Sequence, residues 1–135
     1  AGYKGECHAL AHHPTLDGLC ASGDTYGVLR FWDTAERRPL AGKTFKSDRQ
    51  IWCMAFSPVG DLLALGVDEG FLDILAFPSL ETVLRRRVSH VPDAKGRFER
   101  MSEVSFSSEF GAEAMCYLAA ASFDQNIYVF RVAAP

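Results

Sequence analysis

The sequence has no apolar run of about eighteen residues, the length a helix needs to cross a bilayer, and its opening "AGYKGECHAL" lacks the charged and apolar regions of a signal peptide. These absences lead to the expectation of a cytoplasmic chain with no membrane partner. Cysteine is scarce: Cys7, Cys20, Cys53 and Cys116 form no CxxC pair, and each lies in an apolar run. Free cysteine behaves there as a small buried hydrophobe, so buried reduced thiols are expected ahead of a disulfide framework or a zinc site. Excess positive charge is also missing. With 14 Lys and Arg against 17 Asp and Glu, the net charge of -3 excludes a domain whose overall field seeks nucleic acid, and leaves room only for a local basic patch. No GxSxG, HExxH, GxxxxGKS or DxDxDG pattern occurs, so nothing assembles a nucleophile, base and oxyanion donor, and no cofactor is expected. Long helices are excluded as well, because Gly and Pro interrupt every window in which a 3.6-residue apolar stripe could run. What is there is 135 residues with 48% hydrophobic content, enough for one ordinary core, in a chain that reads as almost all β.

Three segments of this chain align with one another: "CHALAHHPTLDGLCASGDTYGVLRFWDT", "IWCMAFSPVGDLLALGVDEGFLDILAF" and "MSEVSFSSEFGAEAMCYLAAASFDQNIYVFRV". Pro14 and Pro58 hold matching places 44 residues apart, and Ser108 takes that place 50 residues later, the longer step being absorbed by an insertion at residues 91–100. Each unit opens with an alternating run centred near Leu10, Met54 or Val104. A turn leads to a short, almost wholly apolar run ("LCAS", "LLALG", "CYLAAAS") of the kind that suits a strand covered on both faces. A tight turn with Asp or Gly ("GDTYG", "VDEG", "FDQN") then precedes a β-branched and aromatic strand ("VLRFW", "FLDILAF", "NIYVFRV"). Behind two of these lie the more polar "RPLAGKTF" and "ETVLRRRV", read as outer edge strands whose charges discourage unwanted pairing. The units are approximately 5–46, 49–90 and 100–135 in a single partial domain.

Four short strands per unit, this period, and Trp32-Asp33 at the end of a third strand resemble the WD-repeat β-propellers. The resemblance implies a propeller segment of about three four-stranded antiparallel blades in an incomplete ring, with Pro14, Trp32, Asp33, Pro58, Asp68 and Asp124 as structural repeat markers. It also implies that the turn Asp joins a hydrogen-bonded network with a His, a Ser or Thr and the Trp. The sequence departs from this pattern in several places. Leu75 and Phe130 stand at the Trp position of the later units, the Gly-His pair that often opens a repeat is missing, Asp24 comes about two residues early, and His90 does not sit where the missing His would. Degenerate repeats held by apolar packing more than by polar networks are therefore expected. Within the class, "ALAHHPTLDG" (residues 9–18) and "FSPVGDLLALGVDEGFLDIL" are similar to phrases of the echinoderm microtubule-associated protein-like family. That likeness implies tubulin or microtubule association and a longer chain. Three blades are fewer than a closed propeller needs, so the ring is completed either by remaining blades of a parent chain, the preferred expectation, or by further copies.

His8, His12 and His13 invite a metal reading, but on a strand His8 and His12 point to one face and His13 to the other, so the three do not converge. His12 matches Phe56 and Phe106 and is expected to be partly buried, while His13 matches Ser57 at the turn. Ser57, followed by Pro58, reads as a turn residue and Asp73 as a single charge in a strand. The basic residues Arg85, Arg86, Arg87, Lys95, Arg97 and Arg100, set against Asp93 and Glu99, give a local balance of +4 in an acidic chain. They form either a solvated edge strand and loop or a docking surface for an acidic partner, since the Arg fork matches carboxylates. The expected function is thus a non-catalytic protein-interaction scaffold with proteins as partners, tubulin or microtubules first among them. A generic adaptor of another complex and a propeller enzyme with a channel active site are the alternatives.

Overall fold

A computed structural model describes residues 5–89, 92–109 and 115–133. Eleven strands follow one another: β1 (Cys7–His12), β2 (Leu19–Asp24), β3 (Val28–Asp33), β4 (Arg38–Lys46), β5 (Ile51–Phe56), β6 (Leu62–Val67), β7 (Phe71–Ala76), β8 (Thr82–Arg87), β9 (Met101–Phe106), β10 (Cys116–Ser122) and β11 (Ile127–Val132). They form two four-stranded antiparallel sheets, β1-β2-β3-β4 and β5-β6-β7-β8, and a three-stranded one, β9-β10-β11. Among the described residues the only helical piece is a single 3-10 turn at Asp68–Gly70. The chain is all-β, and its architecture is that of a partial WD-repeat propeller: three blades, each a meander, with the innermost strands β1, β5 and β9 in contact from one blade to the next.

The apolar runs become strands because both of their faces are covered. Every residue of β6 is buried. Leu63, Leu65 and Val67 face the first sheet and pack with Ala9, Ala21, Leu29 and Phe31. Leu62 and Ala64 face the third sheet and join Leu72, Ile74, Met101, Val104 and Leu118. Side chains alternate across a strand, so a middle strand between two packed sheets must be apolar at every position. Each fully buried Leu or Phe here contributes about 1.5–3 kcal/mol. The outermost strand obeys the opposite rule: β8 is exposed along nearly its whole length and carries Arg85, Arg86 and Arg87.

The repeat lies in the ladder as well as in the sequence. Cys7 pairs with Asp24, Ile51 with Val67 and Met101 with Ser122, with an irregularity next to each of these pairs. The same alignment sets Trp32 against Cys20, Leu75 against Leu63 and Phe130 against Leu118. It also refines the turns. Asp24, Asp68 and Asp124 occupy three consecutive positions, the last residue of the second strand and the first two of the turn after it, not one shared position, because Asp24 aligns with Val67 and Ser122. Gly23, read from sequence as a turn residue, lies inside β2.

Two expectations of burial are corrected. Cys7 is exposed, whereas Cys20, Cys53 and Cys116 are buried. His12 is exposed, because β1 meets the second sheet through the opposite face, whereas the equivalent Phe56 is buried between sheets. His90 lies outside the described residues. In the inserted loop at residues 91–100, Pro92 bridges Phe98, and the Asp93 carboxylate accepts the backbone N–H groups of Lys95 and Arg97, which closes a turn.

Candidate functional site

The turns after β2, β6 and β10, together with the segments that lead into β1, β5 and β9, gather at one end of the three sheets. Each turn is held by its own polar contacts. In the first blade Asp24 Oδ1 accepts the backbone N–H groups of Tyr26 and Val28. Thr25 Oγ1 accepts the N–H of Glu6, just ahead of β1. At the equivalent place in the second blade Asp68 accepts the N–H of Gln50 and, at 2.6 Å, the indole N–H of Trp52. In the third blade Asp124 accepts the hydroxyls of Ser89 and Tyr128, at 2.5 and 2.6 Å. Burial opposes ionisation of the Asp124 carboxyl, but these hydrogen bonds outweigh it and hold its pKa below the ordinary value. The first blade retains the Trp-to-Ser part of the expected network, with Trp32 Nε1 donating to Ser22 Oγ at 2.7 Å.

The other repeat markers shape the remaining turns. Asp33 Oδ1 accepts the N–H groups of Ala35 and Glu36 and so starts the bend into β4. Pro14 and Pro58 follow His13 and Ser57, which anchor the turns between first and second strands. His13 Nδ1 accepts the N–H groups of Thr15 and Leu16, so its Nε2 carries the proton and donates to the Gly60 carbonyl at 3.0 Å. Its ring packs against Phe56 and Phe77. Ser57 Oγ donates to Asp61 and accepts the N–H of Leu62, and Ser107 accepts the N–H of Tyr117 in the same manner. His8 lies 2.9 Å from Glu6 and stacks against Trp52. Among the described residues no group of three or more His, Cys, Asp or Glu side chains is placed to hold a metal ion.

The six basic candidates do not form one patch of equivalent charges. Arg85 is bound on both sides: Nε and Nη2 donate to Asp73 at 2.8 and 2.7 Å, and Nη1 and Nη2 donate to Asp48 at 3.1 and 2.8 Å. Asp73 has only 3% of its side chain exposed, so Arg85 is the counter-ion of a buried carboxylate and ties β7 and β8 to the segment entering β5. These hydrogen bonds hold the Asp48 carboxyl below its ordinary pKa and raise that of Arg85. Arg97 pairs with Asp93 at 3.1 Å, and Lys95 is exposed on the same turn. Arg86 approaches the ring of Phe130, 5.7 Å from its centroid. Arg87 lies 4.0 Å above Phe98 and 4.8 Å from Phe71, while Arg49 covers Phe71 at 4.4 Å and pairs with Glu69 at 2.7 Å. Arg100 lies 3.7 Å above the ring of Trp52 and 4.9 Å from that of Phe123. The turn end of the sheets is therefore a row of guanidinium groups stacked on aromatic rings.

Sequence reasoning named the arginines and missed their partners. Asp73 was legible only as a lone charge in an apolar strand; pairing β7 with β8 places it directly across from Arg85. Trp52, Phe71 and Phe123 carried no signal beyond being aromatic residues near the ends of strands.

Fold and turn geometry together define a segment of a WD-repeat β-propeller. The comparisons point the same way. An uncharacterized WD repeat-containing protein of Schizosaccharomyces pombe is 30% identical over 129 residues, which covers 94% of this chain and 19% of the relative. The ribosome biogenesis protein BOP1 homolog of Caenorhabditis elegans is 36% identical over 76 residues, covering 55% of this chain and 11% of that protein. Cilia- and flagella-associated protein 251 of Mus musculus is 34% identical over 74 residues, covering 55% of this chain and 6% of that protein. This chain thus spans less than a fifth of the length of these curated relatives. No family model matches it.

Proposed function

We propose that this chain is a section of a non-catalytic protein-interaction scaffold, cytoplasmic and associated with microtubules or tubulin, as part of a larger WD-repeat protein. The observation that carries the scaffold reading is the row of stacked arginines and aromatic rings at the turn end of three rigid sheets. Arg, Trp and Tyr dominate binding hot spots because they offer large contact areas and lose little freedom when they are already held by stacking. The microtubule reading draws on the two phrases similar to the echinoderm microtubule-associated protein-like family and on the likeness to a cilia- and flagella-associated protein. Acidic tubulin tails are the kind of partner that a basic-aromatic row suits. The likeness to a ribosome biogenesis protein favours a second reading, in which the scaffold assembles a ribosomal precursor.

One sedimentation experiment on the intact parent protein separates these readings, run once with microtubules and once with pre-ribosomal particles. Arg86, Lys95 and Arg97 are neutralised in a variant that leaves the structural Arg85 in place. The microtubule reading expects co-pelleting that weakens in the variant and with added salt, since exposed charges are screened over about 8–10 Å at ordinary ionic strength. Sedimentation with the particles alone selects the second reading. Pelleting with microtubules that is indifferent to both salt and the variant removes the basic residues from the interaction.

A further inference from the structure

We infer that the cleft between Trp52, Arg100 and Phe123 is a seat for the carboxylate of an acidic segment in a partner protein, a statement that rests on the scaffold reading and gives it a specific site. The cavity holds about 200 Å³ and is lined by His8, Trp52, Arg100, Met101, Ser102 and Phe123. Its chemistry follows from a difference between the blades. Phe123 takes the turn position that Thr25 and Asp68 hold in the first two blades, and Arg100 takes the position of Glu6 and Gln50 ahead of the inner strand. In those two blades the turn side chain is an acceptor for the neighbouring backbone N–H, through Thr25 Oγ1 and an Asp68 carboxylate oxygen. In the third blade the turn offers a ring instead, and the backbone N–H of Phe123 donates to the Arg100 carbonyl.

Arg100 therefore faces no carboxylate from its own turn. Among the described residues it forms no ion pair, whereas Arg49, Arg85 and Arg97 each have an acidic partner within 3.1 Å. The nearby carboxylate of Asp68 is already engaged by the Trp52 indole and the Gln50 N–H. That engagement fixes the indole plane on which Arg100 lies, 3.7 Å from the ring. A guanidinium held between two rings in this way has little freedom left to lose when its N–H donors capture a carboxylate. His8, tilted against the same indole, borders the cleft with its Nε2 already facing Glu6 at 2.9 Å, which leaves Arg100 as the cation of the seat.

The test uses the purified chain with a fluorescein-labelled hexaglutamate peptide, hexaglutamine as the uncharged control, anisotropy for affinity, and the indole N–H cross-peak of Trp52 for location. The expected result is binding of hexaglutamate over hexaglutamine with a shift of the Trp52 cross-peak. Arg100→Gln should weaken binding about fivefold to tenfold, and Arg97→Gln, whose charge is already paired, should stay within about twofold. Phe123→Asp provides a second variant, placing a carboxylate beside Arg100 where the second blade has Asp68, and should weaken binding as much as Arg100→Gln. Unchanged affinity in either of these two variants overturns the seat, as does equal loss in Arg97→Gln, which would mark diffuse attraction. If the parent binds microtubules with unchanged affinity when Arg100 is Gln, the seat falls and the scaffold reading stands; loss of every protein contact by the unaltered parent would remove both.

Discussion

At the residue scale, the structural consequence of charge is concentrated in Asp73. The Asp73 carboxyl, 3% exposed in the middle of a packed sheet, has both of its oxygens met by the Arg85 fork. Removing the arginine leaves a buried, unpaired charge, a far more costly state than loss of a surface ion pair. Arg85→Ala should therefore lower stability by about 2–3 kcal/mol at neutral pH, short of a deep pair because the guanidinium keeps a path to solvent. Urea denaturation reads this directly, and a loss within the range of a surface pair would mean that water reaches Asp73. The same arginine sets an acid limit. Asp48 is held below its ordinary pKa of 3.8 by the Arg85 hydrogen bonds, so its contribution is complete above that value and disappears as pH falls through the lower folded-state value. The variant should lose less stability than the wild type between neutral pH and about pH 3, because Asp48 then titrates as an ordinary exposed carboxylate. Little of this was legible in the sequence: a run of three arginines on an edge strand reads as solvated charge, and only strand register shows that Arg85, unlike Arg86, points at an acid.

At the element scale, close approach between blades has selected glycine at one repeated place. Gly23 in β2 and Gly66 in β6 are equivalent, and each lies beneath the first residues of the next inner strand. A Cβ on Gly23 would come within 2.6 Å of Ile51 Cγ2, and one on Gly66 within 2.2 Å of Cys53 Sγ and 2.7 Å of Met101 Cβ. The third blade has Ala121 in this position, on the face that no described sheet covers. Gly66→Ala should destabilise the chain by about 1–3 kcal/mol through overpacking, and adding Cys53→Ala should recover part of that loss because the first clash is with the thiol. Thermal melts of the two variants decide it, additive losses being the contrary outcome. The strands themselves were legible in the sequence, since period-2 alternation, fully apolar middle runs and Gly- or Asp-bearing turns all report local environment. The glycine requirement was not, because it depends on strand register, which sets Cys53 against Gly66, and on what a neighbouring blade brings overhead, Ile51 at Gly23 and Met101 at Gly66. The same limit applied to the candidate site: its arginines are visible one at a time, while the rings beneath Arg87 and Arg100 come from other elements.

At the scale of the whole molecule, the two internal interfaces show what the two outer faces are built to meet. Leu72 and Ile74 of the second blade are buried against the third, yet their equivalents Ile127 and Val129 are 74% and 61% exposed. On the opposite side Leu10, equivalent to the buried Met54 and Val104, is 64% exposed. The β11 edge adds to this, since β4 and β8 cover the corresponding strands of the other two sheets while among the described residues no strand pairs with this edge, and an apolar strand with an unpaired edge is a template for pairing. The outer faces therefore carry the two halves of one repeated interface, complementary head to tail, and a surface of this kind associates heterologously rather than about a two-fold axis. Light scattering on this chain should show mass rising with concentration, and Ile127→Lys combined with Val129→Lys should suppress the rise without unfolding the chain, because both side chains are solvated in the monomer. Extending the chain with flanking segments of its parent should also suppress it if further blades of that parent are the natural covering, and the double variant should then destabilise the longer chain. A wild-type chain that stays monomeric throughout would mean that the exposed apolar strands are shielded by their own twist and flanking charges. In that case the complementarity of the two faces has no bearing on how the propeller closes.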